Sequence, residues 1–132
     1  MSPNYLLDSN IIIYSPNPSH AFIPALTQRL TPAVSAISYV EVLGFPKITK
    51  AEAQEYLNIF AAAVIFPLHQ ATLEEAVRLR QQKKMSLGDS LVAATALLHR
   101  LPLITRNKTD FIWITGLQVF DPFDPADFQQ IV

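Results

Sequence analysis

The sequence contains no cysteine, which excludes both a disulfide framework and a thiolate metal site. No apolar run approaches the roughly 20 residues that span a bilayer. The opening stretch, MSPNYLLDSN, lacks the basic-then-apolar layout of a signal peptide. These absences lead to the expectation of a cytoplasmic protein. Charge is also sparse: 16% of residues are charged while 50% are hydrophobic, so the chain is globular rather than disordered. The three histidines, His20, His69 and His99, show no paired spacing. With no thiolate to join them, they argue against zinc and read as surface or helix-end residues.

What is present fits one domain spanning residues 1–132, with no internal repeat, low-complexity tract or linker. A chain of this length buries well over half of the surface exposed when unfolded. Net charge is −1, but its distribution is uneven. Seven of the ten basic residues fall between Arg78 and Lys108, and residues 1–120 hold ten bases against eight acids. The tail DPFDPADFQQIV carries three Asp and no base. A polyanionic partner is therefore permitted, although charge alone does not require one.

Strand-like and helix-like segments alternate. YLL (5–7), AVSAI (33–37), VIFPL (64–68), LPLIT (101–105) and LQVF (117–120) are short apolar runs suited to interior strands of a parallel sheet. TKAEAQEYLNIFAAA opens with the capping-box pair Thr49 and Glu52 and reads as a helix. ATLEEAVRLRQQKK is expected to bury Leu73, Ala76 and Val77, and SLGDSLVAATALLHR to bury Leu91, Val92, Thr95 and Leu98. Residues 19–30 read as a further helix despite Pro24. The expected fold is a three-layer α/β/α sandwich with a mostly parallel central sheet of about five strands. Ligands of such sheets bind at the carboxyl ends of the strands.

Four acids fall at those ends. Asp8 follows the first strand, Glu41 lies about one helical turn after the second, Asp89 opens the helix SLGDSLVAATALLHR, and Asp110 comes soon after the fourth strand. Each also has a purely structural reading. Asp8 can cap the turn SNIII, Glu41 and Asp89 stand at capping-box spacing from Ser38 and Ser86, and Asp110 can be a solvated turn residue. Those readings leave the shared position of the acids as coincidence. Clustered carboxylates stay ionised only if a cation balances them, and Mg²⁺ or Mn²⁺ prefers such oxygen donors. Thr105, ending the fourth strand, can hold a carboxylate or a ligand water. Asn10 can orient Asp8 or serve the turn, and Ser9 is open in the same way. Arg106 and Lys108 stand beside the site as phosphate contacts, as do residues Arg78 to Lys84 if their helix lines the groove. The aromatic residues show no base-stacking pattern and read as core.

LLDSNIIIY, SYVEVLG, KMSLGDSLVAATAL and LITRNKTDF, in this order between residues 5 and 111, together resemble the motifs of PIN domains, and the compact length resembles the VapC-type toxins among them. The resemblance implies a metal-dependent endoribonuclease in which Asp8, Glu41, Asp89 and Asp110 match the acidic quartet and Thr105 its strand-end hydroxyl. It further implies attack of metal-activated water on RNA, a homodimer, and a cognate antitoxin wrapping the active-site groove. The modest basic charge departs from what an RNA-binding surface would favour. The same resemblance is compatible with a PIN-domain nuclease acting in RNA processing without an antitoxin, and with a non-catalytic PIN-like binding module. A receiver domain, the rival small α/β class, needs adjacent acids after its first strand and an acceptor Asp after its third. Asp8 stands alone, and VIFPLHQ has no Asp.

Overall fold

The computed structural model describes residues 2–131. Its strands are β1 (Tyr5–Leu7), β2 (Pro32–Ser35), β3 (Val64–Phe66), β4 (Leu103–Ile104) and β5 (Val119–Phe120). They form one sheet in the order β3-β2-β1-β4-β5, and every pairing is parallel. Side chains alternate across the pleat, so neighbouring residues enter opposite layers. Leu6, Ala33 and Leu103 point into one core, and Leu7, Val34 and Ile104 into the other. All six are fully buried, each leucine or isoleucine contributing about 2 kcal/mol of apolar burial.

The helices divide between these layers. On one face lie α1 (Ser9–Tyr14), α2 (Phe22–Arg29), α3 (Ala36–Leu43), α4 (Lys50–Ala62) and α7 (Pro125–Ile131). They supply Ile11, Ile12, Ile23, Leu26, Val42, Tyr56, Phe60 and Ile131 to that core. The other face is covered by α5 (Gln70–Gln82) and α6 (Leu87–His99), with Phe111 and Ile114 closing the layer. The expected three-layer α/β/α sandwich is the observed one, and its sheet is wholly parallel.

Several expected boundaries shift for local reasons. The second strand stops at Ser35, whose side chain accepts the N–H of Ile37 and starts α3, so Ala36 and Ile37 are helical. Ser38 is consequently not a cap but a buried residue inside α3. The third, fourth and fifth strands are shorter than the apolar runs that contain them. β3 is an edge strand whose Val64 and Ile65 stay 38% and 39% exposed. The capping box of Thr49 and Glu52 forms in both directions. Pro24 falls in the first turn of α2, where a missing N–H costs no helical bond. Helix α5 is rotated from its expected face. It buries Thr72, Ala76 and Leu79, an i, i+4, i+7 stripe, while Leu73 and Val77 face out. Leu98 of α6 is likewise exposed rather than buried.

The histidines do stand at helix ends, and two of them also pack against aromatic rings. His99 closes α6 and stacks on Phe66 at 3.6 Å. His20 ends the 3-10 turn Pro18–His20, where it packs edge-on against Tyr14, Phe22 and Phe123. No helix among the described residues is long and apolar enough to cross a membrane.

Candidate active site

The chain runs outward from β1 through β2 to β3, then crosses to the other side of β1 to form β4 and β5. The crevice between β1 and β4 is thus the point where strand order reverses, and in open parallel sheets ligands bind there. Asp8 leaves β1 at this crevice, and its N–H extends the ladder to the Ile104 carbonyl at 2.9 Å. Thr105 leaves β4 opposite, and its hydroxyl donates to Asp8 Oδ2 at 2.8 Å. One hydrogen bond therefore spans the switch point and fixes the carboxylate. Asp8 Oδ1 accepts the Ser9 N–H at 2.8 Å, so Asp8 also caps α1. Capping and a site role coincide in the same residue.

Asn10 acts one step further out. Its amide donates to Thr105 Oγ1 at 3.3 Å, while its Oδ1 accepts the Arg106 N–H at 3.2 Å. The Asn107 N–H also donates to Thr105 Oγ1, at 3.1 Å. With two donors aimed at its oxygen, the Thr105 hydroxyl proton is directed to Asp8. Asn10 orients Asp8 through Thr105, not by direct contact.

Glu41 is held differently. The Ser9 hydroxyl donates to Glu41 Oε1 at 2.7 Å and shares a 2.9 Å hydrogen bond with the Ser38 hydroxyl. The Glu41 carboxylate lies over the first turn of α6, where a Cβ on Gly88 would sit 2.3 Å from Oε2. Only the smallest residue admits this approach to the helix N-terminus, whose dipole favours an anion. Asp89 is the next residue. Ser86 caps α6 by accepting the Asp89 N–H at 3.1 Å, which sets the backbone of Asp89, and Asp89 lines a cleft with Asp110. Asp110 ends the 3-10 turn Lys108–Asp110 and is exposed.

Asp8 and Asp89 each feel the charge of neighbouring acids. Burial is the main force pushing Asp8 up to about 6 from its ordinary 3.8, and the charges of Asp89 and Glu41 add to it against the opposing hydrogen bonds from Thr105 and Ser9. Asp89 is raised as well, first by burial and then by Asp110, with Glu41 adding to it and the Ser86 hydroxyl opposing. Asp89 thus stands between the other three. Among the described residues the two ion pairs are Arg78–Glu75 and Lys108–Asp127, and neither involves these acids. As the side chains stand, no three acidic or histidine groups among the described residues form a ready-made ion-binding cluster. The donor set nonetheless fits a hard divalent cation in its chemistry: carboxylates and a hydroxyl, none of these carboxylates in an ion pair among the described residues.

The basic residues beside the site have other partners. Lys108 donates to Asp127 Oδ2 at 2.8 Å, and the Arg106 guanidinium lies 3.9 Å over the ring of Phe123. Arg78 pairs with Glu75 on the surface of α5. By contrast Arg80, Lys83 and Lys84 line a cleft together with Asp89, Asp110 and Trp113. Sequence reasoning read Ser38 only as a cap and did not single out Gly88 or Trp113. Only Gly88 left a trace, as a glycine directly before the acid of a helix start.

Fold and site together define a class: small parallel α/β proteins that gather carboxylates at the strand-order reversal of the sheet. The family model of the PIN domain matches residues 5–112, and the chain belongs to the PIN-domain family. It is similar to a chain of a toxin–antitoxin complex from Klebsiella pneumoniae, with 32% identity, 92% of this chain and 99% of that one covered, and a TM-score of 0.76. It is also similar to a chain of the VapBC2 complex from Rickettsia felis bound to a promoter DNA fragment, at 25% identity, 87% and 96% coverage and a TM-score of 0.70. A chain of VapBC-1 from nontypeable Haemophilus influenzae shares the fold at 23% identity, 91% and 98% coverage and a TM-score of 0.74. No curated protein matches the chain.

Proposed function

We propose that this protein is a metal-dependent endoribonuclease and the toxin of a type II toxin–antitoxin pair. The observation that supports the reading is Asp8 fixed at the strand-order reversal, where it feels the charges of Asp89 and Glu41 while Asp89 feels Asp110, with none of the four acids in an ion pair among the described residues. Mg²⁺ or Mn²⁺ held by these four carboxylates would supply a water of lowered pKa and offset charge at the attacked phosphodiester. The chain's own groups do the positioning. Thr105, itself fixed by Asn10 and the Asn107 N–H, holds Asp8. Ser9 and the space over Gly88 hold Glu41, and Ser86 sets Asp89. Asp8, Glu41 and the backbone of Asp89 are thereby set before substrate arrives, which limits reorganisation during reaction.

The toxin assignment rests on similarity to chains of toxin–antitoxin complexes over nearly the whole length. A cognate antitoxin and a homodimer are the partners this reading implies. Asp8→Asn should abolish Mg²⁺- or Mn²⁺-dependent cleavage of RNA while the circular dichroism spectrum stays native. Full cleavage by the purified variant, or by wild type in excess EDTA, would overturn the metal-site reading. For the toxin arm, the adjacent reading frame should encode a small DNA-binding protein whose coexpression relieves growth arrest.

A further inference from the structure

Beside the acids lies a cleft of about 610 Å³, lined by Arg80, Lys83, Lys84, Asp89, Asp110 and Trp113. Two of its walls thus belong to the carboxylate site, and three of its residues are cations. Arg80 Nε donates to the Met85 carbonyl at 3.3 Å, which anchors the arginine on the α5–α6 connection and leaves its terminal nitrogens free for the cleft. Trp113 is held as firmly. Its indole N–H donates to the Asp110 carbonyl at 2.9 Å, and the half-buried ring packs against the α5–α6 core. The indole is therefore tied to the backbone of a site acid. Its open side faces the exposed Lys83, whose ammonium stands 5.6 Å from the ring centroid.

A large aromatic is normally withdrawn into the core or presented to a ligand. Here the ring is fixed at its polar edge, one face carries the exposed Lys83, and Arg80 and Lys84 line the same cleft. Aromatic platforms beside basic grooves bind single-stranded nucleic acid, because every base offers a π-face and every linkage a phosphate. We infer that Trp113 is the stacking platform of a nucleobase subsite flanking the scissile phosphate, with Arg80, Lys83 and Lys84 holding the adjacent phosphates. The inference rests on the ribonuclease reading and deepens it. The substrate class is single-stranded RNA, since a base paired within a duplex cannot stack on the indole. When a base arrives, the Lys83 stem swings from the ring to the neighbouring phosphate.

Trp113 is the only tryptophan in the chain, so its fluorescence reports on this subsite alone. The Asp8→Asn variant is titrated with a short single-stranded oligoribonucleotide and with the same oligonucleotide carrying abasic positions. The intact RNA should quench Trp113, and abasic substitution at one position should remove the quenching and weaken binding. In parallel, Trp113→Ala should raise KM for cleavage roughly 5- to 100-fold, in line with the loss of one base stack. Trp113→Phe, which keeps a π-face, should recover most of that loss. RNA cleaved by wild type with unchanged Trp113 fluorescence on binding, or equal KM for the Ala and Phe variants, overturns the subsite while the nuclease stands. Quenching that depends on the base in a protein that cleaves no RNA supports the subsite and overturns the nuclease. Neither binding nor cleavage of RNA overturns both.

Discussion

Gly88 illustrates how a single atom decides the site. The absent Cβ leaves room for the Glu41 carboxylate against the first turn of α6. In a helix alanine is ordinarily better than glycine by up to about 1 kcal/mol. Gly88→Ala should therefore leave thermal stability unchanged or slightly raised, because the atom it displaces is the end of a flexible side chain. The same change must push Glu41 Oε2 outward by about 1 Å and strain its bond from Ser9. Displacements of that size at a reacting centre are costly, so cleavage should fall roughly 10- to 100-fold. A variant with lower melting temperature and normal cleavage would reverse this account. Thr105 shows the complementary case, a side chain kept polar in a fully buried place. Its hydroxyl has one acceptor and two donors around it, which makes a buried threonine inexpensive there.

Among the elements, the C-terminal segment after β5 matters for the cations it draws away from the site acids. Asp127 of α7 is buried, accepts the Asp121 N–H at 3.0 Å, and accepts Lys108 at 2.8 Å. The lysine on the 3-10 turn carrying Asp110 is thereby tied to the last helix. Phe123 and Phe128 of the same segment pack against Phe22 of α2, and Arg106 covers the Phe123 ring. The acidic tail thus serves as a clasp. Lys108→Ala removes the cation and leaves a buried carboxylate with one partner fewer. The lysine side chain is 37% exposed, so solvent screening limits the loss to about 1 kcal/mol. The expected result is a lower denaturation midpoint with KM for RNA changed less than two-fold (roughly the scatter of such contacts). A large rise in KM at unchanged stability would return Lys108 to the phosphate.

At the scale of the whole molecule, Asp8 and Asp89 shape the response to pH. Burial, with the charges of Asp89 and Glu41 added, lifts Asp8 from 3.8 to about 6 in the folded chain. The folded state then binds this proton more tightly than the unfolded state does. Stability from this group falls as pH rises between those two values, and above the higher one the full cost is present, about 3 kcal/mol. Asp89 is raised too and adds in the same direction. Asp8→Asn removes the charge. In EDTA, its melting temperature relative to wild type should climb with pH between 4 and 7 and level off above, by several degrees in total. A difference that is flat with pH would show that Asp8 titrates normally. Excess Mn²⁺ should stabilise wild type by mass action and leave Asp8→Asn nearly unaffected.

Much of this was legible along the chain. The alternation of short apolar runs with helical patterns specified a parallel α/β sandwich, because strands covered on both faces must be apolar throughout. Asp8, Glu41 and Asp110 after strands, and Asp89 at a helix start, led to the expectation of one shared crevice, because parallel strands deliver all their C-termini to one edge. The reach of these rules ended where packing chose between near-equal arrangements. Which stripe of α5 turns inward was decided by the fit against α6, leaving Leu73 and Val77 outside. Of the aromatic residues read as core, Tyr56, Phe60 and Phe111 are buried there, most others pack partly buried against it, and Tyr39 and Phe45 are exposed. Trp113 lines a cleft with its N–H on the Asp110 carbonyl. The fate of a cation depends on its neighbours in space: Lys108 was taken by Asp127, which lies 19 residues further along the chain. The sequence by itself determined the layers and where along the chain the four acids fall, since period and order are local properties. Only the tertiary structure decided which hydroxyls hold the acids, which bases face them and where an aromatic face stays open, because those outcomes depend on contacts between segments far apart in sequence.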